Sequence, residues 1–381
     1  MNILIVSPDF PYPPNHGGRV DIWKRIELLH SQGHALELIA TTNSTISETD
    51  LNHVKRYVKN TIIVRRETSI WKLLTPFPYQ VLSRENLSKT TISKSYDCVI
   101  LESESVSPII KSIRGKTKAL FLRIHNNETA YFRSLRKSTK NIVLKIFYLR
   151  EQLLYSKHSR EVKKQCDKIL HISKDEYETD KLGQEHKTVF LPSHVSPGDF
   201  KDYSSKETSK VLFVGNLFTE NNLAGLHWYV KNVHPALIAR SKAYELIVAG
   251  NTRGTKPQFL DNVDAVKFID SPADLNPHYA EAAVFINPML SGAGVKLKTI
   301  NAIQEAIPVV STTTGAEGIG LVDGLHFMLA DDVESFANAV HSLLENSELR
   351  KNIAIEAQEY VKKHFNATQT YGTLLNDHPI I

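Results

Sequence analysis

Short, continuous apolar runs alternate with stretches of helical spacing along almost the whole chain. Residues 2–6 (NILIV) are the first such run and read as a buried strand. The following loop, residues 7–15, carries four prolines. Ile22, Ile26 and Leu29 then share one stripe at helical spacing. They predict a helix over 19–31, ended by Gly33, and a second strand over 34–42. Further runs predict strands at 61–64, 98–101, 119–124, 167–172 and 188–192. Residues 71–82 (WKLLTPFPYQVL) are too rich in proline and aromatics for a regular helix. They read as a packed surface loop, an acceptor-side lid or a membrane-touching loop. Residues 130–164 read as one long helical region.

The pattern then starts again. Residues 199–210 are polar and without period, which places a linker at 201–210. Strands follow at 211–214, 245–249, 266–269, 282–286 and 308–310, with helices at 222–239, 274–282, 331–344 and 348–363. The expected fold class is therefore α/β, with two Rossmann-like parallel-sheet domains at 1–200 and 211–350. A C-terminal helix and tail at 351–381 complete the chain.

Composition narrows the reading without deciding it. A chain of 381 residues accommodates two domains, and 41% hydrophobic content is ordinary for a soluble protein. The net charge of +5 suits anionic small molecules or an anionic membrane surface. Neither zinc-finger spacing nor an aromatic RNA-binding signature is present, so no nucleic acid is expected. Cys98 and Cys166 form no CxxC pair, which fits buried thiols in a reducing cytoplasm. The opening run reads as a strand rather than a signal peptide. No apolar stretch approaches the roughly 20 residues that span a bilayer, so membrane contact is expected to be peripheral. Within 130–164, Arg133, Arg136, Lys137, Lys140, Lys145 and Arg150 are interleaved with Leu144, Phe147, Tyr148 and Leu154. Such a stretch either lies on anionic lipid at the inner face of the membrane or is a plain solvated face. His30 and His34 have the spacing of a helical metal pair, but Gly33 interrupts the helix and no third ligand is evident. No metal is expected.

The candidate chemistry centres on residues 287–318. Gly292 and Gly294 follow a predicted strand and lead into a helix whose stripe is Leu297, Ile300, Ile303 and Ile307. A strand at 308–310 and a loop at 315–318 come next. Strand ends and a helix N-terminus meeting in this way form the crevice where open α/β sheets bind ligands. The helix start favours an anion, and Lys296 and Lys298 add two positive charges to it. A diphosphate site and an ordinary loop with solvated lysines both fit those residues alone. Elsewhere, Gly17 and Gly18 lie between a strand and a helix, where backbone can approach a ligand or simply turn. His125 directly follows a strand, so it faces the ligand end of its sheet or is a satisfied loop histidine.

The wording of these segments resembles a known family. Gly-Ala-Gly-Val-Lys-x-Lys, a helix, Pro-Val-Val-Ser-Thr-Thr and Gly-Ala-Glu-Gly-Ile are similar to the donor site of retaining GT-B glycosyltransferases, in particular glycosyltransferase family 4 and its polysaccharide-building relatives. The likeness is weak in the first half and good from Val211 onward. It implies a central cleft between two domains, with the C-terminal helix crossing back to the first. It also implies a nucleotide-sugar donor whose diphosphate and ribose are held by Gly292, Ala293, Gly294, Val295, Lys296 and Lys298. Gly215 and Asn216 belong to the same donor domain, Arg253 is a further base, and Glu317 contacts the donor sugar or its nearby backbone. Gly17 and Gly18 lie over the donor phosphates. His125, in Arg-Ile-His-Asn-Asn-Glu, lies beside the donor sugar with Glu128 as an orienting partner.

Two departures stand out. Many members carry an arginine and a lysine after the first strand of the second domain, where this chain has Asn216, Asn221 and Asn222. Many also frame the glycine loop with two glutamates, and the matching positions here are Ala293 and Asn301. Asn301 still hydrogen-bonds, without charge assistance. The resemblance implies a retaining transfer to a saccharide or lipid-linked saccharide in surface polysaccharide synthesis. With no Asp-x-Asp motif, the diphosphate charge falls on Lys296 and Lys298 rather than on a metal. A GT-B sugar-nucleotide epimerase and a silent nucleotide-sugar binding protein are the alternatives. A P-loop NTPase fails because no glycine precedes Lys298.

Overall fold

The computed structural model describes residues 1–14, 17–182, 186–204, 208–292 and 294–376. It divides into two compact units. The first is Met1–His194 together with the chain from Ala367 onward, and the second is Val195–Asn366. No helix of the described residues is long and apolar enough to cross a membrane.

The first unit is built on a seven-stranded sheet of β1 (Asn2–Ser7), β2 (Ala35–Thr42), β3 (Asn60–Arg65), β4 (Tyr96–Leu101), β5 (Thr117–Ile124), β6 (Lys168–His171) and β7 (Thr188–Phe190). Every pairing is parallel and the order is β3-β2-β1-β4-β5-β6-β7. The continuous apolar runs are explained by burial on both faces. Ile3 and Ile5 of β1 enter one core cluster, with Trp23, Ile26 and Leu29 of the helix Gly17–Ser31. Leu4 and Val6 enter the other, with Val99 and Leu122. Each such side chain contributes roughly 1.5–3 kcal/mol relative to exposure. The last described helix, Ala367–Asn376, adds Ala367, Tyr371, Leu374 and Leu375 to the first of these clusters. Cys98 and Cys166 are buried free thiols, and burial pushes the Cys166 thiol up to about 12.

The second unit repeats the design with six parallel strands: β8 (Lys210–Val214), β9 (Glu245–Gly250), β10 (Val266–Asp270), β11 (Val284–Asn287), β12 (Val309–Ser311) and β13 (Met328–Leu329). The order is β10-β9-β8-β11-β12-β13. Val211 and Phe213 face one core and Leu212 the other. In both sheets the order reverses beside the first strand, between β1 and β4 and between β8 and β11. Those switch points are where loops at the carboxyl ends of the strands diverge and leave room for a ligand.

Several expectations are revised. Gly17 and Gly18 open the first helix rather than preceding it. The region 130–164 is two helices, Glu128–Ser138 and Ile142–Gln165. The break comes because Asn141 turns extended and its side chain accepts from the N–H groups of Val143 and Leu144 at 2.9 and 3.2 Å. The helix expected over 222–239 is Glu220–Trp228, a π-helical stretch Tyr229–Val233, and His234–Arg240. Pro235 sits at the start of the last piece, where a missing N–H is tolerated. The helix Ser347–His364 packs within the second unit through Ile353, Ala357 and Val361, so only the chain from Ala367 is shared with the first.

Two strand-end loops of the second unit touch at glycine. A Cβ on Gly250 would collide with the Gly215 carbonyl, and Leu217 donates to the Asn251 carbonyl at 2.7 Å just beyond. Replacing Gly250 by Ala should cost about 2–3 kcal/mol through overpacking. Urea denaturation checks this. Stability equal to the native chain would mean the two loops are not in contact.

Candidate active site

In the first unit the switch point is occupied by a buried charge network. Asp21 and Arg25 are one turn apart on the helix Gly17–Ser31. Glu102 directly follows β4, and Arg123 and His125 lie at the end of β5. Arg25 pairs with both Asp21 and Glu102. Arg123 grips both oxygens of Asp21 at 3.1 Å and donates to the Leu191 carbonyl. All four are almost fully buried. The two guanidinium groups overcome the desolvation that burial imposes and hold the Asp21 carboxyl far below its usual range. Glu102 is lowered as well, by Arg25 and His125 against the same desolvation.

His125 rests on this network. Its Nε2 lies 3.1 Å from the Glu102 carboxylate and its Nδ1 lies 3.6 Å from Asp21. Glu102 and Asp21, not Glu128, are therefore its orienting partners. The chain between His125 and Glu128 explains why: Asn127 accepts from the Ala130 N–H at 3.0 Å and caps the next helix. Glu128 begins that helix and is carried away from the imidazole. It lines a cavity of about 380 Å³ with Gly18, Arg19, Arg84, Glu104, His125 and Tyr155. Burial, with Glu104 nearby, pushes the Glu128 carboxyl up to about 8. Burial likewise raises Glu104, against a hydrogen bond from Ser159. Two carboxyls whose charge burial disfavours and an aromatic wall suit hydroxyl-rich ligands better than cations.

Ligand atoms of Asp21, Glu102 and His125 lie within 4.8 Å of one another, close enough for a metal ion. The chemistry of the donor set argues otherwise. Both carboxylates are already neutralised by Arg25 and Arg123, and a cation would have to enter against two buried guanidinium charges.

In the second unit the loops after β8, β9, β11 and β12 form another site. The helix Leu297–Gln304 starts there with no acidic residue in its first turn and no capping side chain. Lys296 stands at its N-cap position and is buried. Its ammonium donates to the Gly294 carbonyl and lies 3.7 Å from the exposed Glu317. Lys298 donates to the Asn222 side chain at 2.9 Å and sits over the Phe213 ring, 4.9 Å from its centre. Burial, with the charge of Lys296 beside it, pushes the Lys298 ammonium down to about 7. Two cations at the positive end of a helix are an unfavourable arrangement unless an anion joins them.

The asparagines after β8 shape this loop rather than leaving it bare. Asn222 donates to the Asn216 carbonyl at 3.1 Å, and Asn221 accepts from Ser291 at 3.2 Å. Gly292 has φ +142, and a Cβ there would press on Met289 at 3.1 Å. Beneath the loop, Asn287 bridges Thr299 and the Gly315 carbonyl at 3.0 and 2.8 Å, fixing β11, the helix and the β12 loop to one another. Arg253 stacks on Phe218, 3.7 Å from the ring centre, beside the same strand ends. Asn301 lies on the exposed side of the helix, and Val295 is partly buried against the core. Ala293 lies outside the described residues. The structure thus gathers Gly215, Asn216, Gly292, Gly294, Lys296, Lys298 and Glu317. Asn301 lies on the same helix, one turn beyond Leu297.

A surface feature of the first unit also differs from expectation. Phe147 and Tyr148 turn inward and pack around Phe132, with ring centres 6.5 and 6.2 Å away. The exposed apolar stripe of the helix Ile142–Gln165 keeps Leu144 and otherwise consists of Ile142, Val143, Ile146, Leu149 and Leu153. Arg136, Lys137 and Lys145 lie beside it around a basic depression.

Sequence reasoning missed Asp21, Arg25, Glu102 and Arg123. The signal was present: Glu102 follows β4 as His125 follows β5, and Asp21 and Arg25 are i, i+4 charges on an otherwise inward-facing helix stripe.

Comparison with known proteins adds to this geometry. The profile of the family described as glycosyl transferases group 1 matches residues 208–346. A Klebsiella pneumoniae protein, named an uncharacterized 44.6 kDa protein in the cps region, is 36% identical over 98% of this chain and 99% of its own. Among solved structures, a mutant TarM of S. aureus in complex with fondaparinux, alpha-GlcNAc-glycerol and UDP superposes with a TM-score of 0.71 at 8% identity, covering both chains completely. HepE of Anabaena in complex with UDP gives 0.68 at 13%, over 99% of this chain and 100% of that one. WaaG, a glycosyltransferase involved in lipopolysaccharide biosynthesis, gives 0.63 at 12%, over 98% and 99%.

The buried network has a pH signature. Folding lowers both carboxyls, so their stabilisation is complete above the ordinary values of 3.8 and 4.5 and is lost as pH falls toward the lower folded values. Asp21→Asn should cost about 3–5 kcal/mol at neutral pH by leaving Arg123 unpaired. The gap to the native chain should narrow in acid. Urea denaturation at neutral pH and at about pH 3 reads both effects. A variant as stable as the native chain at neutral pH would remove the network from its supporting role.

Proposed function

The chain belongs to the group 1 glycosyl transferases and has their GT-B type of fold, and from that premise we propose that it transfers a hexosyl unit from a nucleotide sugar, with retention and without a metal, to a saccharide or lipid-linked saccharide acceptor. The cps-region relative supports a role in capsule-type polysaccharide assembly. UDP-sugars are the first donors to test, because two fold neighbours carry UDP. The epimerase and the silent binding protein are what product analysis with and without acceptor would reveal instead.

The observation that carries the reading is the pair of cations at the start of the helix Leu297–Gln304, desolvated and with no acid in the first turn. In the proposed step the bond between the sugar anomeric carbon and the diphosphate oxygen breaks. The acceptor hydroxyl oxygen bonds to that carbon from the same face, and its proton passes to the departing phosphate oxygen. Negative charge grows on the diphosphate, and Lys296, Lys298 and the helix N–H groups stabilise it where it develops. The orphaned role of the missing basic residues after β8 falls on this pair. His125, held upright by Glu102 and Asp21, is assigned to the donor sugar. The cavity beside it, lined by Glu128 and Glu104, is assigned to acceptor hydroxyls.

The basic depression and the apolar stripe on the helix Ile142–Gln165 are assigned to an anionic membrane surface, on the cytoplasmic side. Lysine and arginine near such a surface contribute about 1 kcal/mol each, and the exposed stripe adds hydrophobic insertion.

Two measurements test the donor site. Lys296→Ala should lower kcat by about a hundredfold or more while the melting temperature stays near native. Wild-type turnover in that variant would reject the assignment. Lys298, brought down to about 7, is largely neutral in mildly alkaline buffer, and a bound diphosphate should restore its proton. Affinity for a UDP-sugar should therefore weaken as pH rises above neutrality, with proton uptake on binding. Calorimetry in buffers of different ionisation enthalpy reads that uptake directly. Heats independent of buffer would separate Lys298 from the diphosphate.

A further inference from the structure

An apolar groove of the first unit lies outside the site described above. It measures about 690 Å³, against about 380 Å³ for the cavity beside His125. Phe77, Val81, Leu82, Pro108, Ile110 and Val162 form its walls. Two hydroxyls in those walls are already engaged by neighbouring wall residues. Ser107 and the His158 Nε2 are 2.9 Å apart, and Ser88 donates to the Glu85 carbonyl at 2.7 Å. Burial pushes the His158 imidazole down, so it is neutral. A saccharide would find few hydrogen-bonding partners here, whereas hydrocarbon would lose no contact with water that it needs.

Charge at the groove favours one kind of amphiphile. Its two acids are already paired, Glu85 with Lys72 at 3.4 Å and Glu161 with Lys164 at 2.9 Å. Lys111 and Arg114 also line it and form no ion pair among the described residues. The wall continues directly into an exposed apolar surface. Trp71 is 74% exposed and Leu74 80% exposed in the 3₁₀ turn that leads to Thr75–Phe77. Arg150 fastens that segment to the helix Ile142–Gln165 by donating to the Thr75 and Phe77 carbonyls at 2.6 and 3.2 Å.

We propose that this groove holds the hydrocarbon chain of a phosphate-headed lipid, the anchor of the acceptor, with Lys111 and Arg114 facing its phosphate. The proposal rests on the lipid-linked acceptor of the preceding section and gives it a physical seat. The chain would leave the bilayer beside Trp71 and Leu74 and keep its apolar surface covered.

Farnesyl phosphate, below its aggregation limit, is the probe. Inorganic phosphate is the chain-free control. With the full chain, farnesyl phosphate should bind about tenfold or more tightly than inorganic phosphate, since apolar burial adds to the charge contact. Leu82→Asp and, separately, Phe77→Ser should weaken that binding by about tenfold, with UDP-sugar binding unchanged. Phe77 is half exposed, so its variant keeps the test decisive if Leu82→Asp does not fold. Lys111→Glu combined with Arg114→Glu should weaken it as well. Equal affinity for the two probes, or farnesyl phosphate binding that survives both groove variants, overturns the proposal. Loss of UDP-sugar binding with farnesyl phosphate binding intact would instead count against the donor-site reading and leave the groove standing.

Discussion

A parallel strand cannot hand the chain straight back to its neighbour, and every other feature of this protein follows from that constraint. Each crossover needs a covering segment, so both faces of both sheets become core. Ile3 and Leu4, or Val211 and Leu212, therefore point into opposite clusters and leave no polar face on the sheet. Only the loops at the carboxyl ends of the strands escape packing, and they diverge most where the order reverses. His125, Glu102 and Gly18 collect at one reversal, and Gly215, Gly292, Lys296 and Lys298 at the other.

The two reversals treat charge in opposite ways. In the first unit Asp21, Glu102, Arg25 and Arg123 meet their partners inside the protein, and the result is a rigid seat for an imidazole. Such a network stabilises only when complete, since each unpaired member would be a buried charge. In the second unit Lys296 and Lys298 meet at a helix start that has no acid in its first turn, with Glu317 3.7 Å from Lys296. That deficit raises the free energy of the empty site and makes an anion welcome. One arrangement holds a side chain still, and the other waits for a ligand.

Much of this was legible in the sequence. The apolar runs located β1 to β12 to within a few residues, because most of these strands are buried on both faces, while the two-residue β13 escaped. Gly292, Gly294, Lys296 and Lys298 were readable because a glycine loop followed by a lysine-bearing helix is a local pattern. What escaped was non-local. Asp21 finds Arg123 across 102 positions, and nothing near either residue announces the partner. Glu128 was joined to His125 by proximity in sequence, yet the Asn127 cap separates them in space. The break before Asn141 falls in a polar run, residues 136–141, that the sequence reading absorbed into one long helical region.

The first unit is not contiguous in the chain. Ala367, Tyr371, Leu374 and Leu375 complete a cluster whose other members lie before residue 192. Tyr371 is fully buried and sits in the field of Arg25 and Arg123, which oppose the rise that burial gives its phenol. During synthesis this core stays unfinished while the whole second unit is made. The nascent first unit must wait, with an apolar face uncovered, until the helix Ala367–Asn376 leaves the ribosome. Its completion is thus a timer on the chain: the seat of His125 becomes fully buried only after the second unit has been made.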